Sequence, residues 1–253
     1  MSLWYVTPIL LIPNPFIVGY VWREGPLYDV EPVLLALFSV LAIFSQQKTR
    51  YMDPGYVPID PKLITGDTKK KKQKCEKCTA IKVDRAHHCS QCKRCVVGMS
   101  HHCPWIDNCV GIRNTKMFIN YLFYTSVAAT YTIVIFYRSI PYWMYWYKLH
   151  GEERYREILF GTAWAFLAFI FVNFTLMMMG QQTAEIISGK TMIDTYTDTE
   201  AREMSMPNKL RIAMGSPYFS LQWFNPFVDV KHLPSDIGFN DVSLTAVSKS
   251  GKS

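Results

Sequence analysis

The stretch CEKCTAIKVDRAHHCSQCKRCVVGMSHHCPWIDNCVGIRNTKMF, residues 75–118, decides how the rest of the chain is read, because it holds all seven cysteines of a 253-residue protein. His87, His88, His101 and His102 lie in the same stretch, and only His150 and His232 lie elsewhere. Cys75 and Cys78, Cys89 and Cys92, and Cys92 and Cys95 each have the gap that lets two sulfurs of one turn reach a single tetrahedral ion. Because Cys92 is shared between two such pairs, the sites are not simple sequential fingers. Two closed structural zinc sites take eight ligands. Six cysteines and two histidines fill them, and one of the seven thiols is left over. An odd cysteine beside histidines is a candidate nucleophile. Lys77, Lys82, Arg85, Lys93 and Arg94 are interleaved with the ligands, which suits compensation of thiolate charge and hydrogen bonding to sulfur.

Outward from this stretch, apolar residues gather in blocks. Residues 1–22, 32–47, 117–137 and 158–184 contain no Asp, Glu, Lys or Arg, and about 20 apolar residues suffice to span hydrocarbon. The pattern predicts an all-α multi-pass membrane protein with four transmembrane helices. Helices 1 and 2 occupy residues 1–47, and a loop at 48–116 carries the zinc-bound cysteine-rich domain (75–116). Helices 3 and 4 occupy 117–184, and a C-terminal region covers 185–253. The first block has no basic residue before it and no small-residue cleavage site before Trp22, so it reads as a span instead of a secretory signal. Pro8, Pro13 and Pro15 loosen it. The second block is short and uses the stretch near Asp29 and Glu31 at one interface. Tyr142, Trp143, Tyr145, Trp146 and Tyr147 read as an interfacial aromatic belt.

Charge sets the expected orientation. The formal net charge is +7, and Lys48, Arg50, Lys62, the lysines at 69–72 and Lys74 crowd the middle loop. The first connection offers Arg23 against Glu24, Asp29 and Glu31, and residues 152–157 mix signs. The bias predicts a cytosolic middle loop with both termini cytosolic. Cytosolic thiols stay reduced, which favours metal over disulfides. The lysine run at 69–72 reads as a solvated segment, with attraction to anionic lipid or a phosphate-bearing cofactor as a secondary role. A loop tethered at a membrane and lacking recognition-helix spacing does not suit nucleic acid, so no nucleic-acid partner is expected. A membrane ubiquitin ligase of the RING type would share cross-braced zinc, but with other ligand spacing and no spare thiol. Residues 235–253 have the composition of a disordered tail.

The quoted stretch resembles the cysteine-rich domain of the DHHC protein S-acyltransferases, the palmitoyltransferases. The resemblance rests on the His88–Cys89 pair, on Cys103-Pro104-Trp105, and on Asn108-Cys109-Val110-Gly111 followed by Asn114 and Phe118. Asp53-Pro54-Gly55 is similar to the family's DPG motif. Thr191-Met192-Ile193-Asp194 is loosely similar to its TTxE motif, and residues 208–227 to its C-terminal motif, with Asn208 as polar anchor.

The resemblance implies that Cys75, Cys78, His88 and Cys95 hold one Zn²⁺ and that Cys89, Cys92, His102 and Cys109 hold the other. It leaves Cys103 as the acylated nucleophile, with His101 as its base. Trp105 is implied near the reacting carbon, and Lys82, Arg85, Arg94 and Arg113 serve either acyl-CoA or the zinc sites. The implied reaction moves a long-chain acyl group, palmitoyl, from acyl-CoA through a Cys103 thioester to a cysteine of a membrane-associated protein. The implied setting is a eukaryotic endomembrane, Golgi or endoplasmic reticulum, with plasma membrane or vacuole as alternatives.

One departure is Ser100, which makes the motif SHHC. An Asp there holds the histidine tautomer and stabilises imidazolium, as in a catalytic triad. Serine can orient the ring but carries no charge, so a slower first step is expected, and an Asp at 100 is expected to raise Cys103 acylation. The alternative is a zinc-stabilised membrane scaffold with weakened or lost catalysis. Ala128 and Ala129 would leave either room for an acyl chain or a close helix contact.

Overall fold

In a computed structural model, residues 2–21, 30–58, 74–83, 85–150, 155–201 and 203–232 are described. Residues 23–29, Lys62, the lysines at 69–72, Glu152, Glu153 and the tail at 235–253, on which part of the expected charge pattern falls, lie outside them. The chain divides into two units, one of Trp4–Ser45 and Ile119–Gln181, the other of Met1–Leu3, Gln46–Phe118 and Gln182–Ser253.

The first unit is helical. Its elements are α1 (Val6–Leu11), α2 (Asn14–Val21) and most of α3 (Glu31–Tyr51), α4 (Thr115–His150) and α5 (Tyr155–Ser188). The first apolar block is therefore divided into two short helices. Pro13 lacks the amide that would continue the ladder, and the chain turns there before Ile17 N–H bonds Pro13 O at 2.8 Å. Three helices, α3, α4 and α5, are long and apolar enough to cross a membrane, while Val6–Gly19 is apolar but shorter.

The α4 helix runs past its expected end at Tyr137. Arg138 Nη1 donates to Glu31 Oε1 at 2.7 Å, so its charge is paired and does not end the helix. At 36 residues the helix is about 54 Å long, against about 30 Å of hydrocarbon. Tyr142, Tyr145 and Tyr147 are exposed on this extension.

Leu11, Val18, Leu35, Ala42, Tyr124, Ala128 and Ile135 form the helical core. One amide ties three helices together: Asn14 Nδ2 donates to Thr132 Oγ1 at 2.9 Å, and Trp164 Nε1 donates to Asn14 Oδ1 at 2.7 Å. Unpaired polar groups in lipid cost several kcal/mol, so such pairing is what an apolar bundle needs. Phe166, Phe169, Ile170 and Met177 point outward from α5, an apolar surface suited to lipid. A cavity inside this unit is lined by Leu10, Thr125, Ala129, Leu167 and Phe171 among others. Ala129 thus borders open space while Ala128 is packed, so the two expectations for the alanine pair divide between them.

The second unit departs from the all-α expectation. Its cysteine-rich part is two antiparallel hairpins, β1 (Ala86–Cys89) with β2 (Arg94–Val97), and β3 (His101–Cys103) with β4 (Asn108–Val110). Closely spaced ligands impose this, because a hairpin brings residues distant along the chain into facing pairs. The segment after α3 runs along β2, with Val97 N–H bonding Gly55 O at 2.9 Å. At Gly111 a Cβ would lie 2.4 Å from Pro54 O and 2.7 Å from Val96 Cγ1, so only glycine fits.

The short α6 (Met192–Tyr196), α7 (Met206–Met214) and a 3-10 turn (Leu221–Phe224) complete this unit. Lysines hold its C-terminal segment: Lys48 Nζ donates to Pro226 O at 2.9 Å and Lys116 Nζ to Val228 O at 2.7 Å. Asn208, the expected anchor, is exposed at the start of α7.

Candidate active site

Alternation along short strands sorts the ligands. His88 faces Cys95 across the first hairpin, and their side chains join Cys75 and Cys78 in one cluster. Cys89, the next residue, leaves on the opposite face and belongs with Cys92, His102 and Cys109. In the first cluster Cys75 Sγ lies 3.7 Å from His88 Nδ1, and Cys78 Sγ 3.5 Å from Cys95 Sγ. In the second, Cys89 and Cys92 Sγ lie 3.6 and 3.4 Å from His102 Nδ1, and Cys109 Sγ 3.5 Å from Cys92 Sγ.

A tetrahedral cation with sulfur at about 2.3 Å spaces its ligands by about 3.8 Å, so both donor sets fit one. Hydrogen bonding with Cys92, then burial, drives the Cys109 thiol up, and burial, then Cys78 and Cys75, drives up Cys95. Crowded thiols of this kind ionise together only around a cation. The Cys75–Cys78 and Cys89–Cys92 turns close on left-handed residues, Thr79 (φ 58°) and Lys93 (φ 54°), and Cys92 N–H donates to Cys89 Sγ at 3.3 Å.

Cys103 belongs to neither cluster. His102 faces Cys109 across the second hairpin, so His101 and Cys103 share the other face of β3. Burial pushes the Cys103 thiol up to about 11, although backbone N–H groups of Trp105 and Ile106 donate to the sulfur and favour its thiolate. Burial, then the charge of His102, pushes His101 down to about 4. His101 stacks edge-on against Phe118, with ring centroids 5.6 Å apart. Its Nδ1 is 3.0 Å from Ser100 Oγ, and its Nε2 is buried with no hydrogen-bond partner among the described residues.

The basic residues expected at this site are mostly engaged elsewhere in the fold. Arg85 Nη2 and His87 Nε2, the latter at 2.9 Å, both donate to the buried Asp194 carboxylate. Burial alone would raise Asp194, but the bonds from His87 and Arg85 outweigh it and hold the carboxyl well below the usual range. Asp194 also closes a capping box with Thr191 at the start of α6. Arg94 stacks on the Tyr56 ring at 4.2 Å, Arg113 Nη1 meets Asp53 Oδ2 at 2.7 Å, and Lys82 is exposed. Trp105 O accepts from Gln46 Nε2 at 2.8 Å.

Several residues at the site carried no local signal. Asn108 Nδ2 donates to the carbonyls of Thr49, Arg50 and Met52, satisfying orphan groups at the end of α3. Gln182 and Glu185, from the last turns of α5, reach Ser100. A carboxylate at a helix C-terminus works against the macrodipole, and that misplacement is the one hint the chain offers for Glu185.

Two four-ligand Cys/His clusters that could each hold a metal ion, joined in one chain to helices long and apolar enough to cross a membrane, define a class of membrane protein with a thiol to spare. Comparison with known proteins narrows the class. The family model for the DHHC palmitoyltransferase matches residues 68–199. Palmitoyltransferase ZDHHC3 of Rattus norvegicus is 31% identical over 236 residues, covering 88% of this chain and 79% of that protein. Palmitoyltransferase ZDHHC7 of Mus musculus is 30% identical over 246 residues, covering 88% and 77%. Palmitoyltransferase PFA4 of Candida glabrata is 36% identical over 171 residues, covering 63% and 42%. The chain belongs to the DHHC palmitoyltransferase family, and its function is protein S-acyl transfer.

Proposed function

We propose that Cys103 carries the acyl group as a thioester and that His101 is its base. The observation that carries this reading is that Cys103 is the one cysteine among the seven outside both ligand clusters, on the strand face it shares with His101. Burial favours the uncharged form of both the Cys103 thiol and the His101 imidazole, so charge develops during attack.

In the first step His101 Nε2 takes the Cys103 proton as the sulfur bonds the acyl carbon, the thioester bond to CoA breaks, and the proton passes to the departing CoA sulfur. The Trp105 and Ile106 amides favour the transient thiolate. In the second step a substrate cysteine gives its proton to His101 and attacks the Cys103 thioester. Cys103 then leaves and regains a proton. One thioester is exchanged for another each time, so no other energy source enters.

Zn²⁺ is the proposed occupant of both clusters, held by Cys75, Cys78, His88 and Cys95 and by Cys89, Cys92, His102 and Cys109. As a closed four-ligand site it would supply structural cross-linking. Fixing His102 in this way also fixes the backbone of its neighbours His101 and Cys103. Trp105 is assigned to the surroundings of the reacting carbon, and exposed Lys82 to the CoA phosphates. Arg85, Arg94 and Arg113 are assigned scaffold roles by their internal partners.

In the proposed topology Val6–Gly19 completes a set of four spans, the cysteine-rich domain and both termini face the cytosol, and the protein resides in a Golgi or endoplasmic-reticulum membrane. The proposed domains are 1–47, 48–116, 117–184 and 185–253. Purified protein incubated with labelled palmitoyl-CoA is expected to take up label in a hydroxylamine-sensitive bond that is absent in Cys103→Ser. Persistent labelling of that variant would overturn the assignment.

A further inference from the structure

Ser100 is 3% exposed, and its hydroxyl is fully engaged. Its Oγ donates to Glu185 Oε1 at 2.8 Å, accepts from Gln182 Nε2 at 3.3 Å, and lies 3.0 Å from His101 Nδ1. A hydroxyl has one proton and two acceptor sites, and a carboxylate only accepts. The Ser100 proton therefore points at Glu185, and the His101 contact must be a hydrogen bond donated by Nδ1–H. Such counting assigns the tautomer: Nδ1 carries hydrogen and Nε2 offers its lone pair. This is the nitrogen that is buried without a partner among the described residues.

We propose that Glu185 is a positioning residue for acyl transfer, supplying through the Ser100 hydroxyl the carboxylate that the SHHC motif lacks. The relay runs His101 Nδ1–H to Ser100 Oγ, and Ser100 Oγ–H to Glu185 Oε1. When His101 Nε2 takes the thiol proton, Nδ1 and Ser100 each keep their own, and the imidazolium charge faces a carboxylate one hydroxyl away. Ser100 alone could orient the ring; with Glu185 behind it, the charge stabilisation of a triad is recovered. Helix stability does not account for a glutamate at this place, since the last turn of α5 favours cations. The inference rests on the proposal that His101 serves Cys103.

The geometry also reverses the simple expectation for Ser100→Asp. An Asp side chain would put a second carboxylate where Oγ now meets Oε1 at 2.8 Å, and adjacent carboxylates oppose each other's ionisation. Ser100→Asp alone is expected to slow the enzyme, whereas Ser100→Asp with Glu185→Gln restores a single well-placed carboxylate.

The test is single-turnover acylation of the full-length protein by palmitoyl-CoA. Glu185→Gln is expected to lower the maximal rate about 10- to 100-fold with half-saturation by palmitoyl-CoA unchanged. The double variant with Ser100→Asp is expected to recover most of the loss. Ser100→Ala should lose as much as Glu185→Gln, and combining those two should add little. Metal content and melting temperature serve as folding controls. A wild-type rate in Glu185→Gln, or a loss that Ser100→Asp cannot rescue, overturns the relay while leaving the Cys103 assignment standing. Label retained in Cys103→Ser overturns both.

Discussion

His101 and Cys103 leave β3 on one face, while His102 between them leaves on the other to join the second ligand cluster. Under the proposed assignment, adjacent histidines have separable roles. Replacing His101 by Gln is expected to slow acylation by about 10²- to 10⁴-fold, the usual contribution of a general base, with metal content unchanged. Replacing His102 by Gln is expected to release metal and unfold the hairpins. Acylation kinetics alongside elemental analysis of each variant checks the pair, and metal loss in His101→Gln would contradict it.

The clusters share the first hairpin, since His88 and Cys95 serve one and Cys89 and Cys92 the other. Cys78→Ser is therefore expected to lower metal content toward zero instead of halving it, because loosening β1 and β2 removes ligands from both sites. Metal-to-protein ratios by mass spectrometry distinguish the two outcomes. A chelator should likewise strip both ions in one transition.

Asp194 binds Arg85 and His87 in the interior, and its carboxyl is held below the usual carboxylate range. A carboxyl depressed in the folded state adds stability above its unfolded value of about 4, and loses it as pH falls through the folded value. Asp194→Asn is expected to cost about 3 kcal/mol at neutral pH, the penalty of leaving a buried partner uncompensated. The gap from wild type should narrow as pH drops below about 4. Denaturant melts of both proteins at several pH values provide the check. A gap that widened in acid would have the wrong sign.

Gly111 faces the Pro54 carbonyl at a distance no Cβ tolerates. Gly111→Ala is expected to destabilise the hairpin unit by about 1–3 kcal/mol through overpacking, read as a lower thermal midpoint. Gly180 has nothing within 4 Å of where a Cβ would sit, so Gly180→Ala should leave the midpoint near wild type.

What could be read along the chain was whatever local spacing controls. The tally of seven cysteines and four clustered histidines points to two four-ligand sites and one odd thiol before any folding is considered, whereas the division of the ligands between the sites, and the choice of Cys103 as the odd thiol, rest on the resemblance to the family. Hydrophobic block length did the same for α3, α4 and α5. Where distant residues intervene, the reading failed. Arg138 reads as a helix terminator until Glu31 pairs with it. Arg85, Arg94 and Arg113 look alike as loop cations until Asp194, Tyr56 and Asp53 take them up. Pairing between β1 and β2 or β3 and β4 depends on metal geometry that no periodicity announces. Ser100 looked like a lost charge because its carboxylate partner, Glu185, lies 85 residues away in α5.

That partner has an implication for biosynthesis. The bond from Ser100 to Glu185 joins positions 85 residues apart, so a ribosome delivers Cys103 well before the glutamate exists. On the proposed relay, a nascent cysteine-rich domain would hold its metal yet react about 10- to 100-fold more slowly with the acyl donors around it. Full acylation speed would then await the insertion of α5, which biases lipid chemistry toward finished molecules.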